Sequence, residues 1–246
     1  MIVNYAHRGA SESYPENTML AFSKAIEMGC TGIETDVQRT KDGVLVLIHD
    51  EYLDRTTDGV GLVCEKKYEE LTSLDAGSFK DRRFSTCRIP TLRSFLQFVK
   101  NKNITVNLEI KNSIVKYKDI EIEILYEVFR AGLEDNVIIS SFNHSSIFKI
   151  KAVCPRIKVG ALCPVMSNNL NSYISPYRVN YIHPSYNFLT KENIEECKSK
   201  NIGINVYTVN DEEDLKKIVE LDVDGIITNK PELLCKILKD KQGDNI

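Results

Sequence analysis

The chain has 246 residues, 42% hydrophobic and 27% charged, enough to bury a sizeable core in one large domain or two small ones. Its net charge is −3 with acids and bases interspersed, so no basic stripe supports nucleic-acid binding, and no window nears the roughly 18 apolar residues that span a bilayer. Seven scattered cysteines without a C-x-x-C pair, and an N-terminus without a signal-peptide pattern, point to reduced thiols in a cytoplasmic protein with no stable membrane anchor, rather than to a disulfide framework or a zinc cluster.

Taken in order, the chain begins with the apolar run Ile2-Val3-Asn4-Tyr5-Ala6, a buried strand delivering His7 and Arg8 at its tip, after which Gly9 lets the backbone turn away. Pro15-Glu16-Asn17-Thr18 is a helix-start signal, followed by an amphipathic stretch ending near Gly29. Gly32 to Val37 is a strand, and Val44 to Ile48, after an Asp42-Gly43 turn, is its hairpin-like extension, ending in His49-Asp50. Residues 51 to about 88 are polar and irregular and read as an insertion packed over one end of the fold. Strands are then predicted over 104–110, 137–140, 158–162, 179–182, 203–207 and 225–227. They alternate with helices over about 91–99, 118–132, 143–153, 190–200, 211–220 and 231–239. An irregular or short helical piece runs to 177, and a frayed polar tail runs from 239 to 246.

Eight strands strictly alternating with helices imply a parallel sheet, and eight units in about 250 residues imply a closed (β/α)8 TIM barrel, with a small insertion after the second strand, as one domain over 1–246. An open doubly wound sheet would call for a glycine-rich phosphate loop after the first strand, which Gly9 alone does not supply.

In such a barrel chemistry gathers at the C-terminal strand ends. Glu34 and Asp36 share a strand face, and Glu109 from the next strand adds a third carboxylate. Converging carboxylates repel unless a cation or a shared proton intervenes, and an all-oxygen set suits Mg²⁺ or Ca²⁺ rather than zinc. The alternative, in which these acids face the helix layer and pair with lysines, would bury charge at high cost. Lys111 shares the face of Glu109. It is either a counter-ion or, together with Arg8, a phosphate ligand, and the second is favoured because a divalent cation already balances the acids. His7 and His49 are the candidates for proton transfer. His144, at a helix start, and His183, before Pro184, read as structural. Two histidines, three carboxylates, an arginine and a lysine suit hydrolysis of a phosphate ester.

The motifs His7-Arg8-Gly9, Pro15-Glu16-Asn17-Thr18, Glu34-x-Asp36, His49-Asp50, Leu53-Asp54-Arg55-Thr56-Thr57-x-Gly59, Ile89-Pro90-Thr91-Leu92, Asn107-x-Glu109-x-Lys111, Ser141-Phe142, Tyr207-Thr208-Val209-Asn210 and Asp224-Gly225-Ile226-Ile227-Thr228-Asn229-x-Pro231, in this order and spacing, resemble the glycerophosphodiester phosphodiesterases over nearly the whole chain. The resemblance implies a (β/α)8 barrel with a small insertion, a divalent metal (Mg²⁺ or Ca²⁺) on Glu34, Asp36 and Glu109, and His7 and His49 as the acid–base pair. It places Arg8 and Lys111 near the phosphate. It also implies an aromatic wall beside the glycerol at Tyr207, where many relatives carry Trp; the extra hydroxyl bears on head-group preference.

The expected reaction is hydrolysis of small-molecule glycerophosphodiesters to sn-glycerol 3-phosphate and an alcohol, without nucleic acid or membrane anchor, and with a homodimer admissible. The glycerol 2-hydroxyl attacks phosphorus, and water opens the cyclic phosphate; which histidine is acid and which is base stays open. The rivals are a lysophospholipase-D-like activity, which exposed apolar residues in 51–88 would favour, and a catalytically silent barrel that binds glycerophosphodiesters.

Overall fold

The computed structural model describes residues 1–165 and 178–243. Strand β1 (Val3–His7) pairs in parallel with both β2 (Gly32–Arg39) and β9 (Gly225–Thr228). Between those two the sheet runs through β8 (Gly203–Val206), β7 (Tyr181–Pro184), β6 (Lys158–Cys163), β5 (Val137–Ser141) and β4 (Thr105–Ile110), all parallel. The result is a closed eight-stranded parallel barrel, not an open doubly wound sheet. A ninth strand, β3 (Leu45–Leu47), is the expected hairpin extension and lies antiparallel on the far end of β2.

Helices α1 (Met19–Glu27), α3 (Leu92–Val99), α4 (Ile120–Ala131), α5 (His144–Val153), α6 (Lys191–Ser199), α7 (Glu212–Val219) and α8 (Pro231–Gly243) lie between or after the strands, and the four-residue α2 (Tyr68–Leu71) belongs to the insertion. Thr18 caps α1 by accepting from the Ala21 N–H, and Thr91 caps α3 by accepting from Ser94. Phe22 of α1 then meets Phe95 of α3 at a ring-centroid distance of 4.6 Å, in the apolar layer between helices and sheet. Strand β2 is buried on both sides: Ile33 and Val37 join that layer, and the alternate positions Glu34, Asp36 and Gln38 are buried polar groups.

Three expectations need correcting. The strand expected over 179–182 is Tyr181–Pro184. Asn180 precedes it with its side-chain Oδ1 accepting from the Val159 N–H, and Pro184, lacking an N–H, ends it. The last helix does not stop at 239 but continues to Gly243, because Lys241 donates to the Val219 carbonyl and pairs with Glu220 at 3.0 Å; the remainder of the expected frayed tail, and the helical piece expected up to 177, lie outside the described residues.

The stretch 51–88 is not merely irregular. It holds α2, two 3₁₀ turns (Val63–Glu65 and Arg82–Phe84) and most of a separate apolar cluster in which Leu53, Val63, Leu71 and Ala76 pack on Val46, Ile48 and Ile89. Its apolar residues follow no helical or strand period, which is why the pattern conceals them.

Candidate active site

Parallel register sets the centre of the site. Glu34 of β2 is level with Asn107 of β4, and Asp36 is level with Glu109. Alternation along each strand turns all four toward the barrel axis. Carboxylate oxygens of Glu34, Asp36 and Glu109 lie within 4.8 Å of one another. Burial, then the charges of Asp36 and Glu109, push Glu34 well above the usual carboxylate range; burial and Asp36 also raise Glu109. Burial would raise Asp36 too, but Arg8, His49 and Lys111, with the Asn17 amide, hold it down at about 2.

The Pro15-Glu16-Asn17-Thr18 motif serves more than the start of α1. Asn17 Nδ2 donates to Asp36 Oδ2 at 2.9 Å, while its Oδ1 accepts from the Thr35 hydroxyl at 2.7 Å. Glu16 accepts from Arg8 Nη1 at 2.9 Å. Arg8 adopts φ +56, and its N–H reaches both the Glu34 carbonyl and Glu34 Oε2 (3.0 and 3.1 Å), so the turn after β1 is bolted to β2. Gly9 follows at φ +84, and a Cβ there would stand 2.7 Å from the Ala21 backbone. The Arg8 guanidinium lies 3.3 Å from Asp36, and Lys111 Nζ lies 3.0 Å from Glu109 and 3.9 Å from Asp36. Both cations therefore border the carboxylate cluster and line the pocket.

The two histidines present the same nitrogen. His7 Nδ1 donates to Asn229 Oδ1 at 2.6 Å, and His49 Nδ1 donates to Asp50 Oδ1 at 2.5 Å. An amide or carboxylate oxygen only accepts, so each Nδ1 carries a proton and each Nε2 is the nitrogen left to face the pocket. His7 Nε2 is 3.9 Å from Glu34, and His49 Nε2 accepts from Lys111 Nζ at 3.2 Å. Burial, then Arg8, lowers the His7 pKa to about 4. The His49-Asp50 turn is held from below by Gln38, whose Nε2 donates to the carbonyls of His49 and Asp50.

These side chains line one pocket of about 190 Å³: His7, Arg8, Glu34, His49, Glu109 and Lys111 on the polar side, with Phe142, Leu162, Tyr207 and Ile227 opposite. Asp36 is within the carboxylate cluster, 1% exposed. All eight residues singled out from the sequence thus come together. Tyr207 stands edge-on to Phe142 with ring centroids 6.0 Å apart, and its hydroxyl donates to the Cys163 carbonyl at 3.2 Å. The hydroxyl expected to bear on head-group choice is therefore bound to backbone. His183 is fully buried beside Asn205, and His144 is tied to the Leu162 carbonyl, both in structural positions. Sequence reading assigned no role to Glu16, Asn17, Gln38, Asp50, Arg55 or Asn229. Glu16, Asn17, Asp50, Arg55 and Asn229 stand inside the quoted motifs; Gln38, two residues beyond Asp36, and Asn107, two residues before Glu109, share the faces of those acids by period-2 alternation.

The acids fit a hard divalent cation. Asp36 Oδ1 and Asn107 Oδ1 are buried oxygens without a hydrogen-bond partner, beside a cluster offering only oxygen donors. Three carboxylates against Arg8 and Lys111 leave one net negative charge; a divalent cation would make that one positive, which a phosphodiester monoanion cancels.

The model of the glycerophosphoryl diester phosphodiesterase family matches residues 7–233. The chain is 41% identical to a glycerophosphodiester phosphodiesterase of Caldanaerobacter subterraneus, over 95% of this chain and 96% of the relative, and 37% identical to one of Bacillus altitudinis, over 95% and 96%. The structure of an Oleispira antarctica phosphodiesterase in complex with the product sn-glycerol-3-phosphate superposes with a TM-score of 0.86 at 27% identity, covering 96% of both chains. The chain belongs to the glycerophosphoryl diester phosphodiesterase family, an enzyme of the phosphoric diester hydrolase class on a (β/α)8 barrel.

Proposed function

We propose that the protein hydrolyses glycerophosphodiesters, such as glycerophosphocholine or glycerophosphoethanolamine, to sn-glycerol 3-phosphate and an alcohol, using His7 and His49 as its acid–base pair. The observation that carries this reading is the pair of Nε2 atoms presented, each by a fixed Nδ1–H, beside a three-carboxylate cluster and two cations. The product held by the Oleispira antarctica relative supports it.

Glu34, Asp36 and Glu109 would hold Mg²⁺ or Ca²⁺, which when bound neutralises charge developing on the phosphate. Arg8 and Lys111 hold the phosphate oxygens. One histidine takes the proton of the glycerol 2-hydroxyl as its oxygen attacks phosphorus. The bond from phosphorus to the alcohol breaks, and that oxygen takes a proton from the other histidine. Water then gives a proton to the histidine that protonated the alcohol and bonds to phosphorus; the bond from phosphorus to the glycerol 2-oxygen breaks, and that oxygen takes a proton from the histidine that first removed it. Tyr207 and Phe142 wall the glycerol.

Residues 1–246 act as one unit in this reading, with the 51–88 insertion closing one side of the site. A cytoplasmic setting accords with seven free cysteines, and among the described residues no helix is long and apolar enough to cross a membrane.

A second reading has an observation of its own. Tyr52, Val60 and Phe79 of the insertion are 58%, 69% and 40% exposed, apolar surface that would suit the acyl chain of a lysophospholipid. A substrate panel with glycerol 3-phosphate and choline as readouts tests both. Glycerol 3-phosphate from glycerophosphocholine is expected; choline released only from lysophosphatidylcholine would favour the second reading, and neither product would leave a silent binder.

A further inference from the structure

Arg55 lies in the insertion, outside the barrel, with a side chain 45% exposed. Its guanidinium nevertheless makes four hydrogen bonds to two carboxylates. Nε and Nη2 donate to Asp50 at 2.6 and 3.1 Å, and Nη1 and Nη2 donate to Glu16 at 2.8 Å each. Each carboxylate has a second contact, inward. Asp50 Oδ1 accepts from His49 Nδ1, and Glu16 Oε1 accepts from Arg8 Nη1. Arg8 in turn reaches Asp36, and His49 reaches Lys111. One planar fork therefore sits at the junction of two chains of contacts, one ending on a proton-transfer nitrogen and the other on a phosphate-binding cation.

An isolated exposed ion pair contributes little. A guanidinium with two edges, each engaged by a different carboxylate, fixes the relative placement of both, and an ammonium cannot. Nothing else from the insertion reaches both carboxylates by an ion pair among the described residues. We propose that Arg55 is a positioning residue, through which the insertion sets His49 and Arg8 together.

The inference rests on the proposed roles of His49 and Arg8. It implies that loss of Arg55 acts on kcat through the His49 arm and on KM through the Arg8 arm. The test is steady-state hydrolysis of glycerophosphocholine by the full chain, with thermal unfolding recorded for every variant. Arg55→Ala should lower kcat by up to about 10²-fold, the scale of a misplaced catalytic group, and raise KM, with partial recovery on adding free guanidinium. Arg55→Lys, which keeps the charge and serves if the alanine variant folds poorly, should restore at most one of the two parameters. Glu16→Gln should raise chiefly KM in the parent and add little in the Arg55→Ala background. Arg83→Ala, which removes a charge elsewhere in the insertion, should leave both parameters unchanged. A folded Arg55→Ala with parental kcat and KM, or full recovery in Arg55→Lys, overturns the inference. A parent enzyme without turnover, or one indifferent to His49→Ala, overturns the functional reading beneath it instead.

Discussion

His7 and His49 present the same nitrogen to the pocket but are held by different parts of the molecule. His7 ends β1, is flanked by β2 and β9, and is oriented by Asn229 at the junction of β9 and α8. Ladder hydrogen bonds set its place. His49 lies beyond β3 and is oriented by Asp50, whose carboxylate otherwise runs outward to Arg55, while Gln38 of β2 holds only the backbone carbonyls of the two residues. Its side chain is 30% exposed, against 19% for His7. The barrel thus builds one half of the site, and charged groups at the rim build the other. Exposed charge pairs weaken as the Debye length falls to about 3 Å at 1 M salt, whereas sheet register does not, so the His49 half is the adjustable one.

The largest effects should ignore the distinction. His7→Ala and His49→Ala should each lower kcat by roughly 10²–10⁴-fold, the usual worth of a positioned acid or base; near-normal turnover in both would sink the mechanism. Next comes the support of the rim half. Leu71 is fully buried in the insertion's own cluster, so Leu71→Ala should cost about 2–5 kcal/mol locally. Hydrogen exchange should show 51–88 opening while β1 and β9 stay protected; equal loosening of both would erase the contrast between the halves.

Smaller again is the orienting carboxylate. Asp50→Asn keeps shape and removes charge, and kcat should fall by up to about 10²-fold. The deficit relative to the parent should shrink in 1 M salt, where the parent's own rim pairs are screened, while the deficit of Asn229→Ala should not. A salt response identical in the two variants would contradict the division. The smallest effect belongs to Tyr207→Phe. It removes one hydrogen bond to a backbone carbonyl, worth about 0.5–1.5 kcal/mol, and should leave the order of head-group preference untouched in a substrate panel.

Much of this arrangement could be read from the chain. Barrel strands buried on both sides are short apolar runs, and period-2 alternation placed Glu34 with Asp36 and Glu109 with Lys111 without reference to any fold. What escaped depends on contacts distant in sequence. Arg55 meets Glu16 across 39 residues, and His7 meets Asn229 across 222; no local pattern encodes either. The insertion's core was missed because Leu53, Val63 and Leu71 have no common period. The bounds of β7 differ because Val179 and Asn180 read as strand, whereas Asn180 takes the Val159 N–H with its side-chain Oδ1 rather than its carbonyl, so regular pairing starts at Tyr181.

The sharpest experiment concerns the carboxylate cluster and the histidines together. Enzyme treated with EDTA and freed of it would be assayed for glycerol 3-phosphate release from glycerophosphocholine, alone and with added Mg²⁺ or Ca²⁺, for the parent, Glu109→Gln and His49→Ala. Activity should vanish on chelation and return with a divalent cation in the parent, while Glu109→Gln should need far more cation and His49→Ala should stay slow at any concentration. Full turnover by the chelated parent, or a Glu109→Gln enzyme with the parent's cation dependence, would contradict the reading of Glu34, Asp36 and Glu109 as the cation site of a phosphodiester hydrolase.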